Sequence, residues 1–288
     1  MKLAITGSSG FAGSHLTKYA TINNISIHHI CSDLLNKKTL ISELAKISPT
    51  HILHLAAKSF VGDLDISSIY ETNVVGTTNL LEAALQIKGL KKVLLTSSAN
   101  VYGKNSSGYT SEIVDPFPAN HYALSKLAME HVGGFYKDKI PIVISRPFNF
   151  TGPNQSVKFL IPKLVKAFCM HEKSISLGNV DVKREYNDVD FFSSVSMQIL
   201  RVADPGCILN ICTGKVFALE DVIKILEDYF GYQLIIETDP NLVRLNEIPI
   251  IGGDPTALKA AIETADYQLP NIEFEQTLKK MVKFLSVQ

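Results

Sequence analysis

Short apolar runs alternate with amphipathic stretches along the first half of the chain. Residues 2–6, 25–30, 51–55, 92–96 and 142–145 are brief runs rich in Ile, Leu and Val and bounded by turn residues. Such runs read as strands buried on both faces. Between them, 14–20, 38–47, 70–86 and 122–135 carry apolar positions at helical spacing. Strand–helix alternation of this kind predicts an α/β fold, a Rossmann-type doubly wound parallel sheet. After Arg146-Pro147 the rhythm changes. Helices are expected at 159–170, 219–230, 254–265 and 274–287, with short strands at 207–212 and 234–237. This pattern predicts a smaller C-terminal α/β lobe on the carboxyl edge of the sheet, where ligands bind in such folds. The expected division is residues 1–151 plus about 188–213 for the sheet domain, and 152–187 with 214–288 for the lobe.

A chain of 288 residues, 46% of them hydrophobic, can build one large core or two modest ones. Lys+Arg and Asp+Glu both total 28, so the basic excess that usually marks a nucleic-acid or anionic-membrane partner is absent. No segment approaches the ~18 apolar residues of a membrane span, and the start of the chain has no signal-peptide pattern. Cys31, Cys169, Cys207 and Cys212 are scattered, without metal-like pairing to nearby histidines. They read as buried reduced thiols of a cytoplasmic protein. His28-His29, inside an apolar strand-like run, reads as structural.

The chemistry gathers at the ends of the strands. Gly7, Gly10 and Gly13 form Gly-x-x-Gly-x-x-Gly between the first strand and first helix. Glycines there permit a tight turn and bring backbone N–H groups up to a pyrophosphate at a helix N-terminus. The second strand ends Ile30-Cys31-Ser32-Asp33. An acid at that tip would bind an adenosine ribose and disfavour a 2′-phosphate. Cys31 takes its place, which tilts the expectation toward NADP over NAD, although no arginine stands nearby for the phosphate. His54-Leu55-Ala56-Ala57 closes the third strand with small residues that admit a cofactor. Asn73, on the following helix, either lines that site or braces the neighbouring strand. Ser98 leaves the fourth strand in Thr-Ser-Ser-Ala-Asn-Val-Tyr-Gly, as a substrate ligand or a loop cap. Tyr122 and Lys126 stand four residues apart on one helix face. An adjacent ammonium would lower the phenol's pKa, and the pair could move a proton to or from a sugar hydroxyl or ketone.

On these residues the chain resembles the extended short-chain dehydrogenase/reductase family, the nucleotide-sugar epimerases, dehydratases and reductases, over essentially its whole length. The resemblance implies Ser98, Tyr122 and Lys126 as a catalytic triad. It implies a coenzyme, NADP or NAD, lined by Gly7, Gly10, Phe11, Ala12, Gly13, Ser32, Asp33, Leu34, Leu55, Ala56, Ala57, Lys58, Asn73, Tyr122, Lys126 and Pro147. The segment from Leu177 to Tyr186 is similar to one in GDP-mannose 4,6-dehydratases, and Val243–Pro249 with Gly253-Asp254-Pro255-Thr256 is similar to their Arg-Pro-x-Glu and Gly-Asp-Pro-Thr run. By that likeness the lobe binds a nucleotide sugar: Arg184 and Arg244 on its diphosphate, Glu247 on its ribose or base, and Asn149, Lys158 and Asn179 nearby, with Ser98 and Asn100 at the sugar. The alternative for each arginine is a surface salt bridge, which two arginines in family-matching contexts make the lesser account. One departure matters most. Dehydratases carry an acid two positions after the Ser/Thr, and here that position is Asn100, whose amide cannot act as a base. The resemblance therefore implies a nucleotide-sugar 4-ketoreductase, with GDP-4-keto-6-deoxymannose favoured and a dTDP-linked ketosugar next. A 4-epimerase is the alternative, and a non-catalytic NADP-binding regulatory subunit a distant one. It also implies a homodimer through 70–86 and 122–135, with no nucleic-acid or membrane partner.

Overall fold

The computed structural model describes residues 1–59, 65–106, 108–243 and 248–286. In chain order, β1 (Lys2–Thr6), α1 (Phe11–Ile22), β2 (Ser26–His29), α2 (Lys37–Ile47), β3 (His51–His54), α3 (Ile66–Tyr70), α4 (Gly76–Ala84), β4 (Lys92–Thr96), β5 (Gly108–Thr110), α5 (His121–Tyr136) and β6 (Ile142–Pro147) make the first half. The second half runs β7 (Phe150–Thr151), α6 (Leu160–Cys169), β8 (Ser174–Leu177), β9 (Lys183–Glu185), β10 (Asn187–Asp188), α7 (Val189–Val202), β11 (Ile208–Ile211), β12 (Val216–Ala218), α8 (Leu219–Phe230), β13 (Ile235–Thr238), β14 (Ile250–Gly253), α9 (Thr256–Ile262) and α10 (Phe274–Leu285).

Six parallel strands form the main sheet in the order β11-β6-β4-β3-β1-β2. It is the expected doubly wound α/β sheet. Its strands read as unbroken apolar runs because both faces are covered. Leu3, Ile5 and Leu53 enter one core with α1 and α7, while Ala4, Ile52 and Leu95 enter the other with α2, α4 and α5. Each fully buried leucine or isoleucine there contributes roughly 1.5–3 kcal/mol. Strand order reverses between β1 and β3, so a crevice opens beyond their carboxyl ends. A third core lies among α6, α8 and α10 of the lobe, whose four-stranded sheet has the order β12-β9-β14-β5.

Three expectations change. The single helix over 70–86 is instead α3, a π-helical turn at Glu71–Val75 and α4. A π-turn inserted into a helix often marks a functional site. Helix α7, unforeseen in the sequence, packs on the main sheet with eleven buried residues. The four cysteines are all free, but only Cys212 is buried and Cys31 is exposed, because β2 is the open edge of the sheet and Cys31 lies just beyond it. Among the described residues no helix is long and apolar enough to cross a membrane, and no group of His, Cys, Asp or Glu is arranged to hold a metal ion.

Candidate active site

The floor of the crevice is fixed by backbone that tolerates no side chain. Gly7 sits at φ +68°, and a Cβ there would stand 2.7 Å from the Ala56 nitrogen. At Gly13 a Cβ would stand 2.2 Å from the Gly7 carbonyl oxygen. The turn thus presses β1 against the residues after β3 and aims the start of α1 into the crevice. Gly10 caps α1 without a side-chain hydrogen bond, leaving the first N–H groups for an anion. Phe11 stacks on Phe150, and Phe150 on Phe192, which anchors the first turn of α1 to β7 and α7.

Beneath the floor runs an ordered chain of hydroxyls. Thr6 Oγ1 accepts from the Leu55 and Ala56 N–H groups. Its own proton therefore goes to His54 Nδ1, 2.7 Å away. His54 Nε2–H donates to Thr77 Oγ1 at 2.8 Å, and Thr77 donates to the Asn73 carbonyl at 2.7 Å. Burial, assisted by Lys126, holds His54 down to about 3, so the ring stays neutral and the chain keeps its direction. Asn73, in the π-turn, spends both amide hydrogens on the Lys58 carbonyl and Ser125 Oγ and accepts from the Lys58 N–H. Ser125 in turn donates to the Tyr122 carbonyl. Asn73 thus ties the end of β3 to α5.

Beyond β2, Ser32 is half-buried, Asp33 exposed and Leu34 buried. The acid missing from the strand tip arrives from elsewhere. Glu43 of α2 accepts from the Cys31 and Ser32 N–H groups, both at 2.9 Å. These bonds draw its pKa below the usual carboxylate value against the opposing effect of burial. No spacing rule would have flagged a residue two turns into the following helix.

Tyr122, Lys126 and Ser98 converge past the ends of β4 and β6. Asn120 caps α5 by accepting from the Ala123 N–H, which sets Tyr122 in the first turn with 9% exposure. Ser98 begins the 3-10 turn Ala99–Asn105 and accepts from the Asn100 N–H at 3.2 Å, so it caps its loop and also hydrogen-bonds Tyr122. Burial pushes the Tyr122 phenol above its ordinary pKa, with the Ser98 bond pulling the other way. The expected lowering by Lys126 is not what the structure has. Lys126 Nζ is taken up by the Thr96 carbonyl at 2.7 Å, and burial depresses Lys126 itself to about 8. Behind this group lie Ser97, Glu130 and Arg146, which sequence reasoning passed over. Glu130 continues the four-residue row Tyr122–Lys126–Glu130 on α5, a signal that was present.

The expected sugar-side residues fall around the lobe. Asn100 and Asn149 are exposed near the ends of β4 and β6, Lys158 is exposed before α6, and Asn179 is half-buried after β8. Pro147 is buried at the end of β6. Arg184 is buried in β9 and donates to the Lys183 and Pro249 carbonyls. Arg244 and Glu247 lie outside the described residues. Glu185 is wholly buried and accepts from the Thr213, Gly214 and Gly253 N–H groups. It thereby joins β9, β14 and the turn after β11.

A family model described as GDP-mannose 4,6 dehydratase matches residues 20–281 of the chain. The chain is 32% identical to GDP-6-deoxy-D-talose 4-dehydrogenase of Aggregatibacter actinomycetemcomitans, a match covering all of both proteins. It is 28% identical to GDP-6-deoxy-D-mannose reductase of Pseudomonas aeruginosa, covering 98% of this chain and 96% of that protein. The solved structure of RMD from Pseudomonas aeruginosa complexed with NADPH superposes with a TM-score of 0.90 at 26% identity, covering 100% of this chain and 99% of that one.

Proposed function

This chain belongs to the GDP-mannose 4,6 dehydratase family, and we propose that it is a nucleotide-sugar 4-ketoreductase using NADP or NAD. The favoured substrate is GDP-4-keto-6-deoxymannose, reduced at C4 to GDP-rhamnose or GDP-6-deoxytalose. The observation that carries this reading is the pairing of a buried, protonated phenol at Tyr122 with an exposed amide at Asn100. The site can give a proton but has no carboxylate after Ser98 to remove one from carbon. The two GDP-sugar relatives, named for oxidation or reduction of 6-deoxyhexoses, support the same chemistry.

The crevice fits a nicotinamide coenzyme: at Gly7 and Gly13 a Cβ would fill the cradle, and the first amides of α1 have no side-chain cap. Bound there, the reduced coenzyme would supply hydride to the C4 carbonyl carbon. Ser98 would hold the ketone oxygen, and Tyr122 would pass its phenolic proton to that oxygen as the C–H bond forms. Lys126, as an ammonium, would stabilise the resulting phenolate until solvent restores the proton. A phenol raised by burial suits this direction, because it stays loaded as a donor at neutral pH. Ser32, Asp33, Leu34, Leu55 to Lys58 and Pro147 would line the coenzyme. Asn149, Lys158, Asn179 and Arg184, with Arg244 and Glu247, would meet the nucleotide sugar. We take the enzyme to be cytoplasmic and homodimeric through residues 70–86 and 122–135, where Val75, Leu124 and Phe135 are exposed.

The test is direct. GDP-mannose converted in situ by a separate dehydratase to its 4-keto-6-deoxy form, offered with NADPH or NADH, is expected to oxidise the coenzyme and yield a new GDP-6-deoxyhexose. NMR of that product gives its C4 configuration. No oxidation with either coenzyme would refute the GDP-sugar assignment and turn the test to the dTDP-linked ketosugar.

Glu43 sets the balance between the coenzymes, since a 2′-phosphate at the Cys31 and Ser32 amides meets its carboxylate. Glu43→Gln is expected to raise the NADPH:NADH ratio of kcat/KM by about fivefold, the worth of one charge pair at roughly 4 Å fully screened by water. An unchanged ratio would show that the carboxylate does not face the ribose.

A further inference from the structure

Glu130 stands one helical turn beyond Lys126 on α5, with its side chain 5% exposed. A carboxylate so buried needs full compensation, and it has three hydrogen bonds from two residues. Ser97 Oγ donates to Oε1 at 2.5 Å. Arg146 of β6 donates through Nε to Oε1 at 3.0 Å and through Nη2 to Oε2 at 2.7 Å. The guanidinium also lies 4.8 Å from the centre of the Tyr102 ring, whose hydroxyl donates to Asn210. The two-pronged Arg–carboxylate pair is the rigid kind. It sits directly beneath the turn that presents Ser98 and the helix that presents Tyr122 and Lys126.

We infer that Glu130 is a positioning residue for the reaction: from its buried pair with Arg146 it fixes the Ser97–Ser98 turn with one oxygen and counters the charge of Lys126 on the neighbouring helical turn. The inference rests on the proposed use of Lys126 as an ammonium.

Tyr122 and Glu130 flank Lys126 on α5, His54 approaches it from β3 as a neutral ring, and Arg146 and Tyr102 face Glu130. Of these, Glu130 is the one that holds the Lys126 pKa up against burial. The sign follows. Lys126 acts as a cation, so activity is lost as pH rises through about 8. Without the Glu130 charge that loss comes at lower pH. A contribution to folding alone would lower melting temperature and leave the pH dependence where it was.

The experiment is the pH profile of kcat/KM for the ketosugar, with melting temperatures, in four variants. Glu130→Gln is expected to move the high-pH limb down by about one pH unit, the effect of one nearby charge. Glu130→Asp is expected to keep the limb in place even with a lower melting temperature, because it retains the charge. Glu130→Gln/Arg146→Met removes both charges of the buried pair; it is expected to fold and to show a smaller downward shift, because Glu130 acts on Lys126 from the adjacent helical turn while Arg146 acts from β6, and it decides the matter if the single variant does not fold. Lys126→Met is expected to be inactive. A wild-type limb in the folded double variant, beside an inactive Lys126→Met, would overturn this inference alone. Full activity of Lys126→Met would overturn the proposed role of Lys126 and this inference with it.

Discussion

Tyr122→Phe is expected to lower kcat by about 10²–10⁴-fold, the range for losing a positioned proton donor, while coenzyme affinity stays within a factor of about two. The ring fills the same space, so the first turn of α5 and its Asn120 cap remain. What goes is the phenolic proton and the Ser98 hydrogen bond, the latter worth ~1 kcal/mol of stability. The checks are steady-state kinetics with the ketosugar and a calorimetric titration with coenzyme. Turnover near the wild-type rate would sink the assignment of Tyr122 as proton donor, and with it the mechanism above.

Gly13→Ala carries the second largest effect, on binding rather than chemistry. The added methyl would stand 2.2 Å from the Gly7 oxygen and 2.6 Å from the Ser8 Cα. Neither can retreat easily, because Gly7 is itself pressed against the Ala56 backbone. Overpacking of this kind costs ~1–3 kcal/mol, and the turn relieves it by drawing away from the start of α1. We expect coenzyme affinity to fall by about 100-fold, since close backbone approach to the pyrophosphate is what the glycines provide. The chain has no tryptophan, so calorimetry reads this better than intrinsic fluorescence. A wild-type dissociation constant would mean that the turn is not the pyrophosphate cradle.

What the sequence revealed and what it hid follow from where the information is local. The strands β1, β3, β4 and β6 were legible because burial on both faces leaves an unbroken apolar run. The glycine turn and the Tyr122–Lys126 spacing were legible because each lies within one short segment. Helix α7 was not. Its Val-Asp-Phe-Phe-Ser-Ser-Val-Ser-Met-Gln run buries Ser193, Ser194, Ser196 and Gln198 among its apolar residues, so the polar letters hide a buried helix, and Ser193 satisfies its hydroxyl on the Val189 carbonyl. The π-turn at Glu71–Val75 leaves no compositional trace. Glu43 brings a carboxylate to the end of β2 from a different element, which no local pattern announces. The direction of the Tyr122 shift was misjudged because spacing on a helix does not reveal burial, and burial outweighs the rest.

The small sheet of the lobe has a consequence for how the molecule is made. Strand β5 belongs by chain position to the first half, yet among the described residues it pairs only with β14. Joining them closes a loop of roughly 140 residues, a costly and slow step in chain-entropy terms. On the ribosome, the first parallel strands have all their partners long before β14 emerges. The turn holding Ser98 and Asn100 leads directly toward the unpaired β5, so the nascent sheet domain exists for a time with its reactive end unfinished. The small sheet is thus completed late in synthesis, by the arrival of residues 250–253.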